Sequence, residues 1–316
     1  MHEQGKMKKL KIIRNIALSM LFLLLLHLSV RYLGYVMFPD GGDGGHDAAV
    51  YHFSFARKNS ADTVFVGSSH QFCSVDVNLL NEEYGHNSIL LTSSSQGLRL
   101  SYFAVMYAIE RQHPDTIVLE ASMACNDNDD LAVIEKHYLL DDMPNWSRTK
   151  WACIKDTGDE AYLYLYPLTA MHSYWADVKA EDFRLPERLE EDRRYSYYFD
   201  RTTALEKWDV LPVEEKSPMS EDMEYWMNKI LTLCRENGAE LILYTAPFVA
   251  NQDAQRVYNG LYDYAAQHGV EYCNTMHYLD DIAIEFSNDF LDEGHLNFRG
   301  QEKLTRYLAE NFLPEA

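Results

Sequence analysis

The sequence predicts a three-layer αβα protein built on a parallel sheet. Three observations carry that reading. Short β-branched runs recur at Thr63–Val66, Ser88–Leu91, Thr116–Glu120, Glu240–Tyr244 and Val270–Cys273. Segments with helical spacing lie between several of them. Strands that alternate with helices pack most economically as a parallel sheet covered on both faces.

The N-terminus stands apart. Lys6, Lys8, Lys9, Lys11 and Arg14 precede an uncharged run from Ile16 to Val30, and an aromatic continuation reaches Phe38 after Arg31. Together they reach the ~20 residues a membrane span needs. Arg31 is placed to snorkel, and Tyr32 and Tyr35 suit an interfacial belt. Basic residues ahead of the span predict a cytoplasmic N-terminus and an exported body. A cleaved signal peptide is the competing reading, but no small-x-small site follows Val30. Residues 1–38 are therefore expected to be a basic tail and anchor. Residues 39–60 follow as a linker that includes Asp40-Gly-Gly-Asp-Gly-Gly45, and residues 61–316 form the domain.

Within the domain, Thr63–Val66 is the first strand and stops at Gly67. Val75–Tyr84 leads away as helix or loop, and Ser88–Leu91 ends in Thr92-Ser-Ser-Ser-Gln-Gly97. Leu98–Gln112 places Leu100, Phe103, Ala104, Tyr107 and Ala108 on one helical face, and His113-Pro114 closes it. Thr116–Glu120 is the third strand. Residues 127–218 break the pattern and read as an insertion over the site, with a helix around Pro167 and a charged, solvated stretch at Lys179–Asp200. Regularity returns with the helix Ser220–Asn237, which stops at Asn237-Gly238. The strand Glu240–Tyr244, the helix Asp253–His268, the strand Val270–Cys273, a loop at Phe290–His295 and a closing helix Phe298–Phe312 complete the chain.

The formal net charge is −21, while residues 1–35 carry an excess of positive charge. So acidic a body repels phosphate backbones and excludes nucleic acid as a partner. The 22 tyrosines suit half-buried packing first and a carbohydrate cleft second. The five cysteines, Cys73, Cys125, Cys153, Cys234 and Cys273, form no CxxC pair and suggest neither zinc nor a disulfide framework. An exported body leaves room for one or two disulfides. The acidic run Asn126–Asp130 lacks the Gly-and-Glu pattern of a calcium loop.

The chemistry concentrates at two stretches. Gly67-Ser-Ser-His70 follows the first strand in a tight turn, where a hydroxyl faces the crevice used by open α/β sheets. Asp292-Glu-Gly-His295 supplies a base and its orienting acid just before the last helix. A serine needs both to become a nucleophile, so the two ends are expected to meet as a hydrolase or acyl-transfer site. Ser68 reads as a turn hydroxyl and His70 as a packing or capping residue.

This order of motifs resembles the SGNH (GDSL-like) hydrolase superfamily, whose fold is flavodoxin-like. The nearest likeness is to a membrane-anchored envelope branch that includes the D-alanine transfer protein of teichoic acid modification and the alginate O-acetylation proteins. The resemblance covers residues 60–125 and 220–313. It implies Ser69 as nucleophile, His295 as general base, Asp292 as its orienter and the Ser69 N–H as one oxyanion donor. The family draws further oxyanion donors from a glycine and an asparagine. Here the corresponding stretches offer Ser94, Ser95 and Gln96, with Gly97 just beyond, and Asn126. His172 and Trp175 resemble a His-x-x-Trp segment of relatives and are candidates for substrate binding.

The function so implied is an extracytoplasmic serine esterase or O-acyltransferase acting on an envelope polysaccharide, with no metal or organic cofactor. Its expected partners are the membrane, the polysaccharide or acyl donor, and a multi-span membrane acyltransferase. A non-catalytic scaffold of the same fold is the alternative, motivated by the imperfect oxyanion blocks.

Overall fold

The structure is a computed structural model, described here for residues 2–37, 48–126, 131–165, 178–183, 195–206 and 213–314. The chain divides into two compact units, residues 1–40 with 160–187 and residues 41–159 with 188–316. The first unit holds α1 (His2–Met37), the one-turn α8 (Tyr162–Leu165) and a 3-10 turn at Ala180–Asp182. Helix α1 runs unbroken through Arg31, and Met7–Val30 is long and apolar enough to cross a membrane. The Gly-rich linker at 40–45 and, from residue 166 on, the helix expected around Pro167 lie outside the described residues.

The second unit holds the sheet. Its strands are β1 (Thr63–Gly67), β2 (Ser88–Thr92), β3 (Thr116–Glu120), β4 (Glu240–Thr245) and β5 (Glu271–Asn274). All pair in parallel in the order β2-β1-β3-β4-β5. This is the flavodoxin-like order, which reverses direction between β1 and β3. Both faces of the strands are buried, as continuous apolar runs such as Val64-Phe65-Val66 require.

Helices α4 (Val77–Tyr84) and α11 (Phe298–Asn311) pack together on one face. There Leu80, Leu304 and Leu308 share a core with Phe65, Leu90, Val118 and Ile242. Helices α5 (Leu98–Gln112), α9 (Glu221–Glu236) and α10 (Gln252–His268) cover the other face. Helix α2 (Ala48–Phe55) lies along β2. The periodicity explains these helices, and side chains set their starts. Asp76, Ser220, Asn251 and Asn297 each accept a backbone N–H at the first turn of the helix that follows.

Two parts of the stretch read as an insertion have definite structure. Helices α6 (Val133–Leu140) and α7 (Arg148–Thr157) form, and α7 is tied to α5 through Glu110. That carboxylate accepts from the Ser147 hydroxyl, from the backbone of Arg148 and Thr149, and from the Thr149 hydroxyl.

Residues 195–200 correct the expected solvated stretch. Tyr197 is 3% exposed, and its ring stacks on Phe72 at 4.4 Å. Tyr195 and Phe199 pack against the same core. Tyr195, Tyr197 and Phe199 alternate, so one side of an extended segment is aromatic, and that side packs on Phe72 and the core. The charged residues that suggested a solvated face lie earlier, largely outside the described residues.

Candidate active site

The carboxyl ends of β1 and β3 flank the point where the strand order reverses, the crevice in which such sheets bind ligands. Ser69 stands there because β1 ends in a residue without a side chain. Gly67 has φ +158°, and a Cβ on it would lie 2.8 Å from the Cβ of Gln71 and 3.0 Å from that of Glu120. Only glycine lets the chain turn so close to its neighbours. Ser68 then caps the short α3 (Ser69–Phe72), its hydroxyl accepting from the His70 N–H at 3.3 Å. Ser68 is thus a buried turn hydroxyl, and the Ser69 side chain is the one left facing the crevice.

The expected loop at Phe290–His295 is instead a small antiparallel hairpin of β6 (Phe290–Asp292) and β7 (His295–Leu296). Asp292 pairs with His295 across a two-residue connection, so Asp-x-x-His is the spacing that puts acid and base side by side. The Asp292 Oδ1 accepts from the Gly294 N–H and lies 2.8 Å from His295 Nδ1. On the far side of the ring, Nε2 lies 2.8 Å from the Ser69 hydroxyl oxygen. An Nδ1–H facing the carboxylate leaves Nε2 free to accept the serine proton. The side chains of His295 and Asp292 are 26% and 44% exposed, so the pair opens to solvent.

Three residues hold the hairpin and its surroundings in place. Thr203 donates its N–H to the Phe290 carbonyl and its hydroxyl to the Leu291 carbonyl, bracing β6 with the aromatic segment. Val249 donates to the Glu293 carbonyl at 2.7 Å and ties the loop after β4 to the hairpin turn. The Gln301 amide of α11 donates to the carbonyls of Phe72 and Val75, joining the helix after His295 to the turn after Ser69.

The remaining candidates do not all gather here. Gln96 is fully buried; its Oε1 accepts from the Ser93 hydroxyl and its Nε2 donates to the Ser101 hydroxyl. Its side chain serves the turn after β2. Ser95 is exposed at the tip of that turn with φ +55°, a left-handed position more often filled by glycine, and Ser94 is half-buried beside it. Asn126 ends the 3-10 turn after β3, where its amide contacts the Met123 sulfur. Among the described residues, no hydrogen bond joins Asn126 to Ser69. His172 and Trp175 lie outside the described residues.

Two groups at the site escaped the sequence reading. Glu120 ends β3 fully buried beneath the Ser69 turn. Its carboxylate accepts from the Ser122 hydroxyl at 2.7 Å and from the N–H groups of Ser122 and Ala246, so it joins the loops after β3 and β4. Burial pushes its pKa up to about 7 against those hydrogen bonds. A charged residue closing the apolar run Thr-Ile-Val-Leu was the signal available for it. Phe248, in the loop after β4, packs on the His70 ring at 4.2 Å. Burial first, and then the adjacent His295, hold His70 unprotonated down to about 3.

No family model and no curated protein matches the chain. A solved structure titled "Crystal Structure of TesA" is similar to it at 10% identity, covering 80% of this chain and 99% of that one, with a TM-score of 0.40.

Proposed function

We propose that the domain is a serine ester hydrolase or O-acyltransferase of the SGNH type. The observation that supports it is the continuous chain from the Ser69 hydroxyl through His295 to Asp292, with both links at 2.8 Å. Ser69 attacks an ester carbonyl while His295 Nε2 takes its proton, and Asp292 stabilises the resulting imidazolium. The Ser69 backbone N–H, which has no acceptor among the described residues, is one donor to the developing oxyanion. Collapse expels the alcohol, which leaves with the proton held on His295, and the acyl group remains on Ser69. Water or a sugar hydroxyl then gives its proton to His295, takes the acyl group and restores the serine.

The same reading places the domain outside the cytoplasm, anchored by α1 with the basic N-terminus inside. An anchored enzyme meets a surface polymer more readily than a free small ester, so an envelope polysaccharide is the proposed acceptor or substrate. A multi-span membrane acyltransferase is the proposed supplier of the acyl group.

A scaffold without catalysis is the second reading. The inward-turned Gln96 carboxamide favours it, because it removes one expected oxyanion donor. Turnover of an acetyl-ester reporter by the full-length protein in detergent decides between them. The enzyme reading expects turnover that Ser69→Ala abolishes. Equal rates in both proteins, or none in either, contradict it.

A further inference from the structure

We propose that the cleft at the base of the catalytic hairpin is a saccharide subsite, which holds an uncharged sugar unit of the polymer whose acylated unit lies at Ser69. The inference rests on the polymer reading above and deepens it.

The cleft encloses ≈ 570 Å³ between the approach to β6 and one face of α11, a volume usual for ligand sites. Its walls lead directly to the catalytic pair. Asp289 lines it and precedes β6, about 10 Å of strand before Asp292. Arg299 lines it from the first turn of α11, shortly after His295.

The charges of the lining cancel. Arg299, Lys303 and Arg306 stand beside Glu285, Asp289 and Glu302. Lys303 bridges Glu285 at 3.0 Å and Asp289 at 2.7 Å, and Arg306 pairs with Glu302 at 3.1 Å and with Glu83. Such a lining favours neither an anion nor a cation. What it leaves open is a mixture of donors and acceptors. The Thr202 oxygen accepts from the Asn297 amide at 3.2 Å and from the Arg299 guanidinium at 3.3 Å. Its own O–H therefore points elsewhere and has no acceptor among the described residues. Asn288 gives an amide N–H to Glu285 and keeps its side-chain oxygen open. Arg299 has no carboxylate partner among the described residues. Each sugar hydroxyl both donates and accepts, so a sugar ring satisfies this mixture, whereas an ammonium or a phosphate dianion satisfies only half of it.

An aromatic platform adjoins the cleft. Tyr195, Tyr197 and Phe199 belong to the core, but Tyr198 between them faces out and is 68% exposed. Its ring stacks on Phe298 at 4.6 Å, and the Arg299 guanidinium lies over the same Phe298 ring at 4.5 Å. The open ring is thus joined to the cleft through Phe298 and Arg299. The C–H face of a pyranose packs on such a ring while its hydroxyls reach polar groups alongside. Packing alone does not call for an aromatic there, since a side chain so exposed buries little surface.

The test is titration calorimetry of the full-length protein in a polyoxyethylene detergent, which carries no sugar. The probes are cellohexaose, chitohexaose and, as the charged comparison, hexamannuronate. Tyr198→Ala, Arg299→Ala and Tyr225→Ala are each first shown folded by their thermal transitions, and Arg299→Gln serves if Arg299→Ala does not fold. Tyr225 is an exposed tyrosine of α9, on the other face of the sheet. We expect at least one neutral hexasaccharide to bind more tightly than hexamannuronate. Its Kd should rise about 10-fold or more in the Tyr198 and Arg299 variants and stay as in wild type in Tyr225→Ala. Binding of neither neutral probe, tighter binding of hexamannuronate, or an unchanged Kd in either the Tyr198 or the Arg299 variant would overturn the proposal. So would an equal loss in Tyr225→Ala, which would mark general adhesion to tyrosines. The probes hold no ester and binding is read without turnover. A wild type that binds them but turns over no reporter would sink the ester chemistry and leave the subsite standing.

Discussion

His295 Nε2 lies 2.8 Å from the Ser69 hydroxyl although 226 residues separate the two in the chain. The parallel sheet makes this possible. It carries Ser69 on the end of a central strand, and α11 returns His295 to the same edge through its bonds to the turn after Ser69.

The orienting carboxylate sets the tautomer of His295. Asp292→Asn keeps an acceptor oxygen but adds an NH2 that favours the wrong ring tautomer. Reporter turnover should fall on the order of 10³-fold or more, with the thermal transition little changed. Steady-state kinetics on the variant check this.

Gly67→Ala should destabilise the domain. The added methyl meets two Cβ atoms at 3.0 Å or less, in a backbone conformation that suits glycine. Overpacking of this kind costs about 1–3 kcal/mol and the backbone strain a similar amount. Urea unfolding should show a lower midpoint with an unchanged slope.

Glu120 and His70 give the stability opposite dependences on pH. The folded state raises Glu120 from 4.5 to about 7, so its contribution is complete below 4.5 and is lost as pH rises through about 7. The shift corresponds to a change on the order of 3 kcal/mol across that window. The folded state lowers His70 from 6.5 to about 3, so its contribution is present above 6.5 and is lost as pH falls toward 3. The difference in unfolding free energy between wild type and Glu120→Gln should therefore fall as pH rises from 4.5 to 7. Denaturant titrations at several pH values measure that slope.

Tyr197 reports whether the aromatic segment belongs to the core. Its ring stacks on Phe72 and its hydroxyl accepts from the Ala49 N–H at 3.2 Å. Tyr197→Ala should cost about 3–5 kcal/mol, as for other large buried aromatics. A loss below ~1 kcal/mol would return the segment to the surface.

The sheet and its covering helices were legible because β-branched runs and 3.6-residue spacing are local signals. The strands β1 and β3 end where those runs end, and Ser220 and Gly269 mark helix limits in the usual way. What periodicity could not show depended on distant partners. Two N–H groups at the start of α7, those of Arg148 and Thr149, are accepted by Glu110, almost forty residues earlier. The Tyr195–Phe199 segment is buried only because Phe72 and the hairpin lie beneath it. At the site, Ser69, His295 and Asp292 stood out by residue type and order. The direction of the Gln96 amide did not, because Ser93 and Ser101 decide it. Glu120 closes an otherwise apolar strand, and its role depends on Ser122 and Ala246, which the strand pattern does not show.

The central claim is that Ser69 is an activated nucleophile. Treating the full-length protein with a fluorophosphonate and locating the adduct by peptide mass spectrometry tests it most directly. The structure predicts one adduct, on Ser69, absent in Ser69→Ala and formed far more slowly in His295→Ala. A folded wild-type protein that takes up no label, or takes it up on another serine at an undiminished rate in His295→Ala, would contradict the account.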